Sequence, residues 1–234
     1  MLIWPIERLK LMTSKKIYCE NDFILKNMGF IWLTTFFIFV FLFITGTNAQ
    51  ETTDSPERII SKITGEILNE IKNDPDLAAG DWVKINVLVD EKVMPVIDFE
   101  KMTALAVGRH WRSASPVQKN ELMKVFRELL LLSYSGAIRF ADKAGMKILP
   151  PRRNPGDIDV VVRTRVTVPG RQAVPIDYRL RKSDSGWRII DLNVLGLWLI
   201  ENYRSQFTQI VSRDGISGLV TAIENKNKSL SKSK

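Results

Sequence analysis

Few side chains in this 234-residue chain have the types and spacing that enzyme chemistry requires. The single histidine, His110, stands in the segment GRHWR between arginines, and no carboxylate is evident that would orient its ring. Asp177 and Asp191 are the acids that could serve as a base, but Asp191 follows an apolar strand and suits capping or ion pairing there. Paired carboxylates, a cysteine–histidine pair and metal-ligand spacings do not occur. We therefore predict no catalysis, no metal and no cofactor.

An antiparallel sheet is predicted in the middle of the chain. Apolar and polar side chains alternate through DIDVVVRTRVTVPG and QAVPIDYRLRK, and the turn SDSG leads into a third strand at Trp187. A shorter strand in MKILPPR precedes them. Such alternation predicts one face in contact with water and one dry face, which helices must cover.

Helical signals lie on both sides of this sheet. Ser55 and Pro56 open a first helix, the segment from Asp81 to Trp111 is expected to be helical with a break near Pro95, and Ser115-Pro116 opens a long helix that we expect to end at Gly145. After the sheet we expect a helix from Leu199, a stop at RDG and a short last helix from Ser217. The order predicts an α+β domain, with the helices from Ser115 and Leu199 as the cover of the sheet.

The two covering helices carry more apolar surface than a single stripe. Four leucines, 129–132, surround the middle of the first helix, and the segment NVLGLWLIENYRSQF crowds the start of the second. This excess favours an apolar cavity between sheet and helices, although every core contains such residues.

The beginning of the chain has the pattern of a secretory signal. Residues 30–44 form an uncharged apolar run of 15 residues after Lys26, and TGTNAQ places small residues where a signal peptidase cuts. We expect residues 1–49 to be a signal peptide cleaved near Ala49, with an uncleaved anchor as the alternative and with Met12 and Met28 as alternative starts. The chain's one cysteine, Cys19, lies in this segment, so residues 50–234 must fold without disulfides.

The charge is moderately basic. The whole chain carries +8, and residues 50–234 hold 29 Lys and Arg against 23 Asp and Glu, or +6. Part of this charge lies in residues 226–234, which we predict to be a basic disordered tail. The basic residues do not alternate with exposed aromatic residues, so we predict no nucleic-acid partner, whereas acidic proteins or anionic headgroups suit this charge.

Two long segments are distinctive, GRHWRSASPVQKNELMKVFRELLLLSYSGAI and VPIDYRLRKSDSGWRIIDLNVLGLWLIENYRSQFTQIVSRDGISGLV. They resemble the MlaC family of periplasmic phospholipid-binding proteins, also called toluene-tolerance auxiliary proteins, and the similarity extends from about Glu57 to Ile223. The resemblance implies a twisted antiparallel sheet like the nuclear-transport-factor cone, wrapped by helices around a lipid cavity. It places one domain at 50–225, with helices at 55–145, the sheet at 146–195 and further helices at 197–225.

The family resemblance also implies a role and partners. Its members carry phospholipid through the periplasm between an outer-membrane lipoprotein complex and an inner-membrane ABC transporter with an MCE-domain protein. A hopanoid-associated branch is similar, so a hopanoid is an alternative cargo. Two further alternatives stay open: a periplasmic lipoprotein chaperone, and an isomerase-type enzyme, because similar cones hold such enzymes.

On this resemblance we predict two sets of site residues. The residues expected to contact the acyl chains are Phe126, Leu130, Tyr134, Val160, Val162, Val166, Ile176, Tyr178, Tyr203 and Phe207. The residues expected at the mouth, near the headgroup, are Arg109, Arg163 and Arg204, because arginine binds phosphate through several donors at once.

Overall fold

The first helices of the protein follow the capping signals in the sequence. The computed structural model describes residues 55–232. The Ser55 hydroxyl accepts a hydrogen bond from the backbone amide of Arg58 at 3.2 Å, and helix α1 (Pro56–Asn73) follows. Asp74 then caps α2 (Pro75–Ala79), accepting the amides of Asp76 and Leu77. Helix α3 (Trp82–Leu88) begins after Asp81 in the same way.

The next segment is helical but irregular, as predicted. A π-helical stretch (Val89–Val93) and a 3₁₀ turn (Met94–Val96) succeed α3, so that the helix breaks at Pro95. Helix α4 (Phe99–Val107) and a second 3₁₀ stretch (Gly108–Ser113) complete the segment. The amide of Asp98 donates to the carbonyl of Ile189 at 3.0 Å, which ties this segment to the sheet.

The long central helix, α5 (Pro116–Tyr134), begins with the predicted capping box between Ser115 and Gln118. The prediction that it continues to Gly145 is wrong. The α-helix ends at Tyr134, a 3₁₀ segment (Ser135–Lys143) follows, and Gly145 opens the first strand. Ser135 and Gly136 are weak helix formers, which explains the earlier end.

The sheet is an antiparallel meander whose strands neighbour one another in chain order. They are β1 (Gly145–Ile148), β2 (Asp159–Thr167), β3 (Val174–Ser183), β4 (Gly186–Val194) and β5 (Leu197–Trp198). The predicted alternation holds in β2, where Val160, Val162 and Thr164 are buried. The alternation predicted through DIDVVVRTRVTVPG would also place Ile158 on the dry face, but Ile158 precedes the strand and is 61 % exposed, so that part of the prediction is wrong.

The last helix, α6 (Leu199–Lys232), is longer than predicted. Its backbone leaves the helical region at Gly215, at the predicted RDG stop, and then continues to Lys232. Asn227 in this second half is buried and donates to the carbonyl of Val125 at 2.9 Å. Residues 226–232 are therefore helical, and the prediction of a disordered tail from residue 226 is wrong, because Asn227 and Leu230 pack against the helical core.

Three clusters of buried apolar residues hold these elements together within one compact unit. The largest joins α4, α5 and α6, the second packs α1 against β2, β3 and β4, and the third lies among α1, α2 and α3. Within the part of the chain that the structure describes, none of the helices has the length and apolarity needed to cross a membrane.

Candidate functional site

A cavity of about 500 Å³ lies between one half of the sheet and the helices that cover it. The sheet supplies two cross-strand pairs, Ile176 with Val194 and Tyr178 with Leu192, whose side chains share the dry face. The remaining lining comes from the helical segments: Ile67, Ile85, Val89, Val93, Met94, Ile97, Phe99, Met102, Arg127, Leu130, Leu131, Tyr134, Ser135, Ala137, Ile138, Leu199 and Ile200. The walls are thus mostly aliphatic, as in a site for an apolar ligand.

Arg127 carries the only charge among the described residues of this lining. It lies on the same face of α5 as Leu130, Leu131 and Tyr134, because residues three, four and seven positions apart align on a helix. Its Nη2 donates to Asp90 Oδ1 at 2.6 Å and its Nη1 to Asn86 Oδ1 at 3.3 Å. The guanidinium is therefore held at the wall by Asn86 of α3 and by Asp90 of the π-helical stretch that follows α3.

Burial raises the phenol pKa of two of the tyrosines in or beside the cavity. Burial raises the pKa of Tyr178 above its ordinary value of 10.0, and a hydrogen bond with the Thr64 side chain offsets part of this effect. Burial, together with the nearby Tyr134, raises the pKa of Tyr203 to about 12. Both phenols therefore stay neutral at physiological pH and serve as hydrogen-bonding or apolar groups.

The structure places four of the ten predicted acyl-chain residues on the cavity wall, namely Leu130, Tyr134, Ile176 and Tyr178. Tyr134 is 43 % exposed, so it marks an opening of the cavity. That these four contact a ligand stays a prediction.

The other six are not part of the cavity lining and lie in packed regions. Phe126 contacts Tyr203 and Phe207 with ring centroids 5.1 and 5.2 Å apart, between α5 and α6. Val160 and Val162 pack with Ile60 of α1 in the second cluster. Val166 is half-buried and is paired across the sheet with Val174 and Met146. These side chains fill the core beneath and beside the cavity.

The three arginines predicted at the mouth do not line this cavity. Arg109 and Arg204 line a separate groove of about 440 Å³, together with Lys101, Arg112 and Trp111. Arg204 passes close to Gly108, whose φ of +68° favours glycine. Arg163 lies on β2 and donates to the carbonyl of Pro150 at 2.7 Å.

The predicted structural role of Asp191 is confirmed. Its carboxylate is buried and accepts the amides of Leu192 at 2.7 Å and Ile200 at 3.1 Å, so that it holds the start of α6 on β4. Arg179 approaches it at 3.6 Å. Burial nevertheless raises the pKa of this carboxyl above its ordinary value, and the two amides and Arg179 oppose the shift.

The other residues with catalytic side chains are also not gathered into a site. His110 contacts the guanidinium of its neighbour Arg109 at 3.5 Å. Asp177 lies in β3 opposite Arg163 and Asn193 in the sheet register. Across residues 55–232, no group of three or more His, Cys, Asp or Glu side chains could hold a metal ion.

Neither Arg127 nor the part of the wall formed by α3 and Val89–Val93 was predicted from the sequence. The spacing of Arg127 from Leu130 and Tyr134 could have indicated the arginine, since the three share one helical face. The irregular backbone of Val89–Val93 has no comparable signal in the sequence.

Comparison with known proteins gives consistent results. The family model described as "MlaC protein" matches residues 61–225. The intermembrane phospholipid transport system binding protein MlaC of Haemophilus influenzae is 22 % identical over 200 residues, which cover 82 % of this chain and 91 % of that protein. The toluene tolerance protein ttg2D of Pseudomonas putida is 20 % identical over 162 residues, 69 % of this chain and 75 % of that protein.

A solved structure is also similar to this chain. The phospholipid-binding protein of Ralstonia solanacearum, solved in complex with a phospholipid, superposes with a TM-score of 0.72 and 38 % sequence identity. The match covers 75 % of this chain and 98 % of that one.

Proposed function

This chain belongs to the MlaC family, and we propose that it is a periplasmic phospholipid carrier that holds the acyl chains of its cargo in the cavity between sheet and helices. The lipid travels with its tails buried and its headgroup at the opening beside Tyr134. The cavity requires no reactive group for this task, so we propose that the protein is not an enzyme.

The observation that carries the proposal is the apolar lining of the cavity. Two acyl chains with about 30 methylenes, at about 0.8 kcal/mol each, cost on the order of 20 kcal/mol when exposed to water. A wall of aliphatic side chains avoids that cost. The relative from Ralstonia solanacearum, which was solved with phospholipid, supports the assignment of cargo.

We propose separate roles for the lining residues. Leu130, Ile176 and Tyr178 contact the acyl chains, whereas Arg127 attracts the phosphate, because a guanidinium offers several donors to an anion. The remaining predicted residues, such as Phe126 and Val162, support the wall from behind.

The location and partners are part of the same proposal. Residues 1–49 direct the chain to the periplasm as a cleaved signal peptide, and they lie outside the described residues. As in the family, the carrier exchanges lipid with an inner-membrane MCE-domain ABC transporter and an outer-membrane lipoprotein complex.

Mass spectrometry of lipids extracted from the purified protein tests the proposal. Two-chain phospholipid supports it, a hopanoid identifies the alternative branch, and a bound acylated peptide identifies a lipoprotein chaperone. A protein that contains no lipid and takes none up from vesicles would contradict the carrier function. Turnover of a ketosteroid-type substrate would favour an isomerase instead.

A cavity-blocking variant tests the site itself. Ala137 lines the cavity and is exposed at its opening, so Ala137→Trp should obstruct the cavity without disturbing the packed core. We expect co-purified lipid to fall to a small fraction of the wild-type amount while the melting temperature stays similar. Asn120→Trp, on an exposed position of α5, is the matched control and should retain its lipid. Full lipid content in Ala137→Trp would contradict this placement of the cargo.

A further inference from the structure

The hairpin between β4 and β5 has a two-residue turn, Leu195-Gly196, in an unusual conformation for its sequence. Val194 pairs with Leu197 across the turn, and φ is +55° at Leu195 and +88° at Gly196. Two-residue turns with positive φ at both positions favour Asn-Gly or Asp-Gly, since a leucine side chain is strained there. Leu195 is the only residue other than glycine with positive φ in the described chain.

The same turn exposes apolar surface. Leu195 is 66 % exposed and Leu197 is 68 % exposed, so neither side chain contributes much to the core. The turn is nevertheless held firmly: Gly196 N–H donates to Asn193 Oδ1 at 2.9 Å, and Leu195 N–H donates to the carbonyl of Pro175 at 3.3 Å. Folding stability therefore explains neither the strained leucine nor the exposed pair, and strain of this kind is often retained for function.

The turn is continuous with the cavity. Val194 immediately before it and Leu199 shortly after it both line the cavity, and Val194 is paired with Ile176 on the sheet side of the cavity. The two exposed leucines thus extend the apolar surface of the cavity to the outside of the molecule.

An aromatic–cation pair stands at the base of the turn. The guanidinium of Arg179 lies over the ring of Trp198, 4.1 Å from its centroid, and also approaches Asp191 and Glu201 at 3.6 and 4.0 Å. Tryptophan and arginine prefer the headgroup level of a bilayer, where an apolar body and a polar end are both accommodated. Leucines at the tip with Trp198 and Arg179 behind them match the layers of a membrane surface.

We propose that the Leu195-Gly196-Leu197 turn is a membrane-docking element that inserts both leucines into the outer hydrocarbon of a phospholipid bilayer and brings the cavity opening to the membrane. Its role in lipid transfer depends on the proposed carrier function, whereas bilayer binding does not. In this arrangement the apolar surface of Leu195 and Val194 holds the cavity opening at the membrane in which the proposed partner complexes lie.

Flotation with vesicles of phosphatidylethanolamine and phosphatidylglycerol tests the proposal in the full-length mature protein. Leu195→Asn and Leu197→Gln should each weaken vesicle binding by at least about tenfold, because each replaces a leucine side chain that lies in the hydrocarbon of the bilayer in the proposed arrangement. Leu195→Asn should also keep or raise the melting temperature, since asparagine tolerates positive φ. Val117→Gln is the matched control: it removes a 65 % exposed apolar side chain that does not line the cavity, and its vesicle binding should equal that of the wild type.

Three outcomes would overturn the proposal: vesicle binding unchanged in both leucine variants, no binding by the wild type, or an equal loss in Val117→Gln. In the first two cases the turn would belong to a protein interface or to no interface. Lipid occupancy, measured on the same samples, separates this test from that of the carrier function. We expect occupancy to stay unchanged in both leucine variants, and its absence from the wild type would contradict the carrier function alone.

Discussion

At the scale of single residues, Arg127 is the one charged side chain in the described lining of the cavity. The guanidinium is partly buried at an apolar wall, and its pairing with Asp90 leaves further donors that can bind an anion. A carrier with this one cation should hold anionic phospholipids somewhat better than zwitterionic ones.

The first residue-scale prediction concerns Arg127→Met. The ratio of phosphatidylglycerol to phosphatidylethanolamine among co-purified lipids should fall, because the donor to the phosphate is lost while the apolar stem remains. Stability should change by no more than about 1 kcal/mol, since Asp90 is 62 % exposed and pairs of this kind contribute little. Arg165→Met, on an exposed position of β2, is the control and should leave the ratio unchanged. An unchanged ratio in Arg127→Met would remove the arginine from headgroup recognition.

The second prediction concerns the buried carboxylate of Asp191. Burial raises its pKa above 3.8 in the folded protein. The carboxyl therefore adds to the free energy of unfolding below its unfolded-state pKa, and this contribution is lost as the pH rises through the raised pKa. Asp191→Asn keeps an oxygen for the amides of Leu192 and Ile200 and removes the charge. We expect its urea midpoint at pH 7 to equal or exceed that of the wild type, with a smaller difference near pH 4.

Asp191→Ala is the comparison, because it removes the acceptor as well. It should lower the free energy of unfolding by about 1–2 kcal/mol at both pH values. A large loss of stability in Asp191→Asn at pH 7 would show that the contact with Arg179 outweighs the effect of burial.

At the scale of elements, α5 divides its surface between two tasks. One face places Phe126 against Tyr203 and Phe207 of α6, and another presents Arg127, Leu130 and Tyr134 to the cavity. This division explains the four consecutive leucines at its middle, which give the helix more apolar surface than a single stripe. Leu129 and Leu132 are buried, whereas Leu130 and Leu131 line the cavity.

A truncation tests the second half of α6. Deleting residues 226–234 removes Asn227, its hydrogen bond to Val125 and the packing of Leu230, so the free energy of unfolding should fall by about 2 kcal/mol. The double substitution Lys226→Gln and Lys228→Gln is the control, because it removes two exposed charges and keeps the helix. Equal stability of the truncated and complete proteins in urea would mean that this part of the chain does not contribute to the fold.

At the scale of the whole molecule, the net charge would act together with the proposed docking turn. Residues 50–234, which would remain after cleavage of the proposed signal peptide, carry a net charge of +6. This charge would favour approach to anionic surfaces, and the apolar turn at Leu195 would then bind once contact is made.

Export gives the whole-molecule prediction. In a Gram-negative host we expect the protein in the periplasmic fraction with Gln50 as its first residue, as measured by amino-terminal sequencing and intact mass. Ala49→Arg should block cleavage, because the peptidase requires a small residue, and should leave an uncleaved, membrane-retained form. An intact amino terminus on the wild-type protein in that fraction would contradict cleavage near Ala49.

The sequence by itself determined the order of the main helices and strands. Ser55, Ser115 and the break at Pro95 were predicted from local chemistry, because caps and prolines act within a few residues of themselves. The alternation in β2 and β3 predicted the antiparallel sheet and its dry face for the same reason. The family resemblance supplied the expectation of a lipid cavity.

Only the tertiary structure decided which apolar residues surround empty space and which pack on one another. Phe126, Tyr203 and Phe207 have the same character as Leu130 and Ile176, yet the first three fill the α5–α6 contact and the last two face the cavity. Arg109 and Arg204 line another groove, whereas Arg127 is the arginine that lines the cavity. Local patterns report whether a side chain avoids water, whereas a cavity depends on the distance between elements that are far apart in the chain.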